Sequence, residues 1–493
     1  MGLTVISRSE TTDLNTNNSG IQAAKRAGSL LGRVFDLLEP WKGAFKQLRS
    51  WESAVHILFG AMLSSERATQ TASAVYRGAA DQDQSKRTRI FSRSPWDLRD
   101  LAWWSIAEGA KEFGPNEPIS VALDETHMRK VGHRIFGSGY GYDPQLPKFL
   151  KKKFNWMLRA LHATFLIEDS AYRRPLAMPI WFEVLIAKLK RGKNLTKAEM
   201  KFLDSVEEAD ALVAKSIEMV HFIRKTLDES GHAHQTLRLF ADNSFSNGKF
   251  MKSLPHNTVY VGRFKRNGGL YLPLKEKRGK TIYGDPLPKP HMLFADPQFR
   301  ISQAKFYYGG GWSEFSFKDI NNIYWKGGTN QQLVRLLLLW PIPRRRTARA
   351  KLSYSQPAYL ITTDLITSSQ ELIQGYLNRW QIEVMHRELK QDVGVGEMQG
   401  WTENTVRRFH GALALMYGLV SLAGHRMLKS QKVNLPPLPI WRSHSVPRRP
   451  SARTLITMLR EDVERFGIYD RSAIRKKLVR RWKLPVQHSF VVA

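Results

Sequence analysis

The 493-residue chain has no cysteine. Disulfides, thiolate zinc sites and cysteine nucleophiles are therefore excluded. Its fourteen histidines form neither an HExxH helix nor a paired finger spacing, so the common zinc motifs are missing too. Long hydrophobic runs are also missing. The longest, 336–340 and 412–420, fall far short of the roughly 20 residues that span a bilayer, and no membrane partner is expected. No signal-peptide pattern opens the chain; residues 1–20 are polar and read as disordered. A cytoplasmic, prokaryotic, nucleoid-associated protein is expected. Acids are scarce: 44 Asp and Glu stand against 76 Lys and Arg, a net charge of +32. Such an excess predicts a polyanion partner, because Lys and Arg gain by displacing counterions from phosphates. A chromatin-like binder would carry the same charge, so the excess alone does not indicate catalysis.

What is present is apolar content of 42%, enough for real cores, over a length that suggests several domains at roughly 150 residues each. Residues 21–115 read as all-helical. Apolar residues recur at spacings of three and four over 30–48 and 54–77, and Pro95 opens a further helix over 96–113. Lys86, Arg87, Thr88 and Arg89 are placed in a loop. This module either reads a DNA end, as a helix-turn-helix variant would, or is a helical scaffold for the next domain.

The next segment, 116–264, alternates strands with helices. A short apolar strand over 118–123 runs into Asp124, Glu125 and Thr126, and a second over 237–241 runs into Asp242. An acid at the end of a buried strand is held rigidly at a sheet edge, although one such Asp is more often a turn residue. Between them come a basic Gly-rich loop over 127–153, whose spacing fits no phosphate cradle, strands over 154–166 and 175–184, and a helical stretch over 196–230. Asn247 and Gly248 suit a short helix start, and 258–264 reads as a strand. Residues 265–355 are rich in Gly, Pro and aromatics, with strand-like runs at 269–272, 306–308, 315–317 and 333–340. Arg344 to Lys351 is a basic run: a solvated loop or a clamp on a DNA backbone. Trp312 and Trp325 are either core or candidates for stacking on an extruded base. A strand over 358–363 leads to the stretch 374–392, and 401–427 reads as a second helix. Beyond 429 the chain is Pro-rich, then helical over 451–465, then basic over 471–483; the tail would hold DNA or a second subunit.

The stretch QGYLNRWQIEVMHRELKQD, 374–392, is read as one helix built from good helix formers. At about 100° per residue, Tyr376, Arg379, Glu383 and Lys390 form one narrow polar stripe, with His386 and Arg387 beside it. Leu377, Trp380, Ile382, Val384, Met385 and Leu389 occupy the faces that can bury. Composition alone would allow a surface helix with a Glu383–Arg387 pair. The spacing is more specific: Tyr, two residues, Arg, three residues, Glu, six residues, Lys. In this spacing the chain resembles the cut-and-paste DDE transposases of bacterial insertion sequence family four, and Arg379-Trp380-Gln381-Ile382-Glu383 is similar as well. Lys277-Arg278-Gly279 with Tyr283-Gly284 resembles that family's basic Gly motif.

The resemblance implies an α/β architecture: a ribonuclease H-like core in two parts, 116–264 and 356–428, a β-rich insertion over 265–355, the helical module over 21–115 and a basic region over 429–493. It implies that Asp124, Asp242 and Glu383 are catalytic and hold two Mg²⁺ ions, or Mn²⁺, as hard oxygen ligands suit. Tyr376, Arg379, Arg387, Lys390, Arg278, Trp312 and Trp325 would bind DNA. The expected substrates are double-stranded transposon ends and target DNA, bound by a homodimer in the synaptic complex, with a DNA hairpin intermediate as in some relatives. Glu125 stands where the family more often has Asp. A nuclease without strand transfer and a noncatalytic DNA-binding derivative are the alternatives.

Overall fold

The computed structural model describes residues 19–80, 83–143, 154–169, 172–187, 196–209, 211–278, 281–344, 351, 353–430 and 449–469. Of the expected disorder over 1–20, residues 1–18 lie outside the described residues and 19–20 instead open a helix; most of the basic run from Arg344, 431–448 of the Pro-rich stretch 431–450 and the basic tail 471–483 also lie outside them. The protein is mixed α/β with a large mixed sheet. Contacts divide it into two compact units: Met1–Ser105, Lys130–Phe136 and Arg387–Ala493 form the first, and Ile106–Arg129 and Gly137–His386 the second.

The first unit is helical. It contains α1 (19–26), α2 (Leu30–Leu38), α3 (Leu48–Leu63), α4 (Gln70–Tyr76), α5 (Ser85–Ser92), the start of α6 (Leu98–Ala110), α12 (Glu403–Ser430) and α13 (Ala452–Arg465). Two expected helices are broken. Pro40 turns the chain into a 3₁₀ turn after α2, since proline lacks the donor an α-helix needs. The run 54–77 splits after Leu63, and α4 restarts on the Thr69 cap. The expected loop at 86–89 is instead part of α5. The buried heart of α12, from Phe409 to Ala423, packs with α2, α3 and α5. Lys130 is buried among carbonyls: its Nζ donates to Gly396 O, to Met398 O at 2.7 Å and to His410 Nε2 at 3.3 Å.

The second unit is organised by one twelve-stranded sheet, ordered β2-β3-β1-β5-β6-β14-β11-β10-β7-β8, with β4 on β3 and β9 on β10. Its first half holds β1 (Ile119–Arg129), β2 (Gly139–Tyr142), β3 (Phe154–Asp169), β4 (Tyr172–Leu185), β5 (Leu237–Ala241) and β6 (Thr258–Arg263). Strands β1, β5 and β6 run parallel, and β3 runs antiparallel to both β1 and β4. All five residues of β5 are buried, as a strand covered on both faces requires. The expected loop over 127–153 contains β2, which pairs with β3. The crossover to β5 runs through α7 (Lys197–Ala209) and α8 (Leu212–Leu227). Then α9 (Gly248–Lys252) starts on Asn247, whose side chain accepts from Phe250 N at 3.0 Å.

The later strands, β7 (Tyr271–Arg278), β8 (Thr281–Pro286), β9 (Ile301–Tyr308), β10 (Gly311–Tyr324) and β11 (Leu333–Leu339), continue the same sheet. A small hairpin, β12 (Pro343–Arg344) with β13 (Ser353–Tyr354), stands apart. Strand β14 (Ala358–Thr362) returns between β6 and β11, antiparallel to both. It delivers the chain to α10 (Ser369–Asn378) and α11 (Gln381–Gln391). Leu372, Ile373 and Ile382 of these helices join Ala122, Phe240, Val261, Phe306 and Leu360 in one apolar core.

Candidate functional site

Asp124 and Asp242 are brought side by side by strand register. The parallel pairing of β1 with β5 ends at Leu123 and Ala241, and the two acids are the next residue on each chain. Strand β1 does not end at Asp124, as the sequence suggested. It continues to Arg129 because β3 is longer than β5 and goes on pairing with it. Neighbouring strand residues face opposite ways, and this separates the two adjacent acids. Glu125 is held by Arg159, Nη2 to Oε2 at 3.0 Å, and by His127 at 3.1 Å. Its carboxyl lies at about 2 despite burial, because these two partners outweigh desolvation. Asp124 is left to another cation.

That cation is Arg379. The expected single helix over 374–392 is two helices, with Arg379 and Trp380 between them. Across the break, the N–H groups of Ile382 and Glu383 reach back only three residues, to Arg379 O and Trp380 O. Such 3₁₀-type bonds tighten a turn and redirect the chain. Trp380 is accordingly 55% exposed rather than buried. Arg379 is buried and pairs in two directions, Nη1 to Asp124 Oδ2 at 3.4 Å and Nη2 to Glu383 Oε1 at 3.5 Å. Its guanidinium lies 5.6 Å from the Tyr376 ring centroid, and its Nε is buried with no partner.

Gly375 lets this arrangement sit low on the sheet. A Cβ there would stand 2.3 Å from the Phe240 ring of β5. The entry to α10 is fixed by Ser368, whose hydroxyl accepts from Glu371 N. It is fixed again by Arg238 of β5, which donates to Glu371 at 2.6 Å and pairs with Asp364 at 3.4 Å. Gln374 adds a rung to β9, accepting from Tyr307 N at 2.8 Å and donating to Tyr307 O at 3.2 Å.

The acids share one electrostatic environment. Burial raises Asp124 above the ordinary carboxylate range; Arg379 and the Glu125 N–H oppose the shift, and Asp242 adds to it. Burial raises Glu383 to about 7, again opposed by Arg379 and reinforced by Asp124 and Asp242. Burial also raises Tyr376, with Arg379 opposing and Asp242 reinforcing. Arg379 itself is held more firmly protonated: burial acts against its charge, and Tyr376, Asp124, Asp242 and Glu383 together outweigh that. Crowded carboxylates with raised proton affinity are chemically suited to a hard divalent cation. Among the described residues, however, no three His, Asp or Glu side chains are arranged to hold a metal ion. Arg379 supplies the positive charge between Asp124 and Glu383.

The remaining expected site residues are placed differently. Arg387 and Lys390 lie farther along α11, in the residues grouped with the first unit. Arg278 closes β7 opposite Thr281. Trp312, 57% exposed, packs edge-on against Tyr307, whose backbone meets Gln374. Trp325 packs edge-on against Phe264. Three residues were not anticipated. His162 lies opposite Asp124 in register, is fully buried with neither ring nitrogen paired, and sits 5.1 Å from the His386 ring. Tyr260 places its hydroxyl 2.9 Å from Ser246 and 3.5 Å from Asp242 O. Arg263, at the end of β6, acts electrostatically on Tyr376. The signal for Arg263 was the strand-end position that had marked the two Asp residues.

Residues 350–435 match the model of a family described as archaeal putative transposase ISC1217, a DDE transposase family. The matched stretch contains β13, β14, α10, α11 and all of α12, and so Tyr376, Arg379 and Glu383. It supports a transposase-type function. A search of curated proteins finds no match. No helix of the described residues is long and apolar enough to cross a membrane.

Proposed function

We propose that this protein is a DNA transposase that cleaves phosphodiesters at the ends of its element and joins the freed 3′ hydroxyl to target DNA. The observation that carries the reading is the meeting of Asp124, Asp242 and Glu383 around Arg379, from two neighbouring parallel strands and a helix far along the chain. The sheet order β4-β3-β1-β5-β6, with three parallel strands beside an antiparallel run, supports the ribonuclease H-like assignment. The strands over 265–355 then form its β-rich insertion.

Asp124, Asp242 and Glu383 would hold Mg²⁺ or Mn²⁺, which when bound stabilises charge on the attacked phosphate and its leaving oxygen. The chain's own residues supply the remainder. Arg379 has an unpaired buried Nε–H and can give it to a phosphate oxygen. Tyr376 stays protonated because burial raises its hydroxyl pKa, so it acts as a donor to phosphate. Glu125, already neutralised by Arg159 and His127, takes no part in the cluster. Arg387 and Lys390 are proposed to hold DNA farther along α11, and Arg278, Trp312 and Trp325 along the insertion. A synaptic homodimer, a hairpin intermediate and cytoplasmic action on the nucleoid belong to the same proposal.

The test is a plasmid carrying the inverted repeats that flank the coding region, incubated with Mg²⁺ and either the unsubstituted protein or Glu383→Gln. Excision with joining by the former alone is expected. Cutting without joining would make it a nuclease, and a gel shift without cutting would make it a binding protein.

A further inference from the structure

We infer that the aromatic face of the β2–β3 hairpin is a stacking platform for unpaired DNA bases. Tyr140 pairs in register with Trp156, and Tyr142 with Phe154, so four rings share one face of a two-stranded ribbon. Their centroids are 5.1 and 6.1 Å apart, edge to face. Tyr140 is 71% exposed, Tyr142 55% and Phe154 58%. The opposite face of β2 carries no side chains at all. A Cβ at Gly139 would stand 2.4 Å from Ala187 Cβ, and one at Gly141 2.8 Å from Met157 Sδ. A half-buried strand ordinarily turns apolar residues inward and polar ones outward. Here the packed face is glycine and the water-facing side is aromatic. Packing does not require these rings, because their surface is left in solvent, and contiguous exposed apolar surface marks an interaction site.

The occupant is identified by charge and geometry. Of the eleven residues between β2 and β3 in sequence, Lys148, Lys151, Lys152 and Lys153 are basic and Asp143 is the one acid. Asp143, beside the platform in sequence, is turned away and neutralised by Arg129 at 2.9 Å, with Asn155 donating at 3.2 Å. Rings with four lysines close by in the sequence and no free carboxylate beside them suit a polyanion with flat apolar faces. Each stacked base contributes substantially and without regard to sequence. In a duplex those faces are covered by neighbouring bases, so the platform distinguishes strand ends, flaps and melted DNA from intact helix. The inference takes DNA as the partner from the preceding reading. Its test measures binding alone, in a Glu383→Gln background that does not cut, so the two can fail separately.

Fluorescence anisotropy would compare a labelled single strand of about 15 nucleotides, enough to cross one such site, with a blunt duplex of the same sequence. The full-length Glu383→Gln chain and the same chain with Tyr142→Ser and Phe154→Ser are the proteins to compare. Loss of two stacking rings is expected to weaken single-strand binding about tenfold or more, to change duplex binding less than twofold, and to leave the salt dependence of both unchanged. Tyr142→Phe with Phe154→Tyr, which keeps both rings, is expected to retain full affinity and guards against misfolding of the serine variant. Equal weakening of both DNAs, no weakening of either, or failure of the ring-preserving variant would overturn the inference. So would sedimentation showing self-association that the serine variant abolishes, since the face would then join copies of this chain.

Discussion

Arg379 forms an ion pair with Asp124 across 255 positions of sequence and with Glu383 one helical turn away. One cation thereby serves acids from a strand and from a helix, and its removal leaves partly buried charges uncompensated. Arg379→Ala is expected to destabilise the metal-free protein by about 2 kcal/mol, below the usual range for a fully buried pair because the acids are partly exposed. Urea unfolding would measure this. Full stability in the variant would show that the acids do not depend on Arg379.

A divalent cation bound at the acids should repair part of that loss. Saturating Mg²⁺ or Mn²⁺ at about a hundred times its Kd is expected to stabilise the unsubstituted protein by about 2.7 kcal/mol. Asp124→Asn should lose that increment, whereas Glu125→Gln, on the opposite face, should keep it. Thermal melts of the three proteins with and without Mn²⁺ decide the matter; equal shifts in all of them would place the metal elsewhere.

Lys130 sets a pH dependence outside the acid cluster. Burial lowers it from 10.5 to about 8, with Glu397 opposing. Above about 8 the folded side chain releases a proton that the unfolded chain keeps up to its higher pKa. The unfolded state then binds more protons, and stability rises with pH in that window by at most about 1.4 kcal/mol per pH unit. Unfolding free energies at pH 7.5 and 9.5, compared between the native protein and Lys130→Met, should reveal a slope present only in the native chain. Identical slopes would mean that Lys130 titrates normally.

Gly375→Ala tests the close approach of α10 to the sheet. Alanine favours a helix by about 1 kcal/mol over glycine, so a free helix would be stabilised. Here the methyl meets Phe240 at 2.3 Å, and overpacking of about 1–3 kcal/mol is expected to win. Adding Phe240→Leu should recover part of the loss. A stabilised single variant would show that α10 stands farther from β5.

The sequence made the local elements legible where one force dominates. Strand β5 was read with its observed limits, 237–241, because the run is short and four of its five residues are apolar. Asn247 as a cap was legible because its side chain competes for a backbone N–H within three residues. What depends on distant partners was not visible. The extension of β1 beyond Asp124 is decided by the length of β3, and the Glu125–Arg159 pair joins two strands whose register no periodicity announces. The break at Arg379 and Trp380 was hidden because no proline or glycine after Gly375 announces it; it arises where Arg379 turns in to meet Asp124. His162 escaped notice because a histidine in a strand ordinarily reads as core.

The sheet does not stop at β6. Strand β14 is hydrogen-bonded to β6 on one side and to β11 on the other, so the seam between the two halves is a continuous ladder rather than a linker. A ladder transmits shear and resists bending. Strands β7 to β11 therefore cannot swing toward or away from the acids as a separate flap. Any adjustment to a bound partner on that side must come from side chains or hairpin tips, and proteolytic loss of β11 would strip β14 of its neighbour and loosen the base of α10.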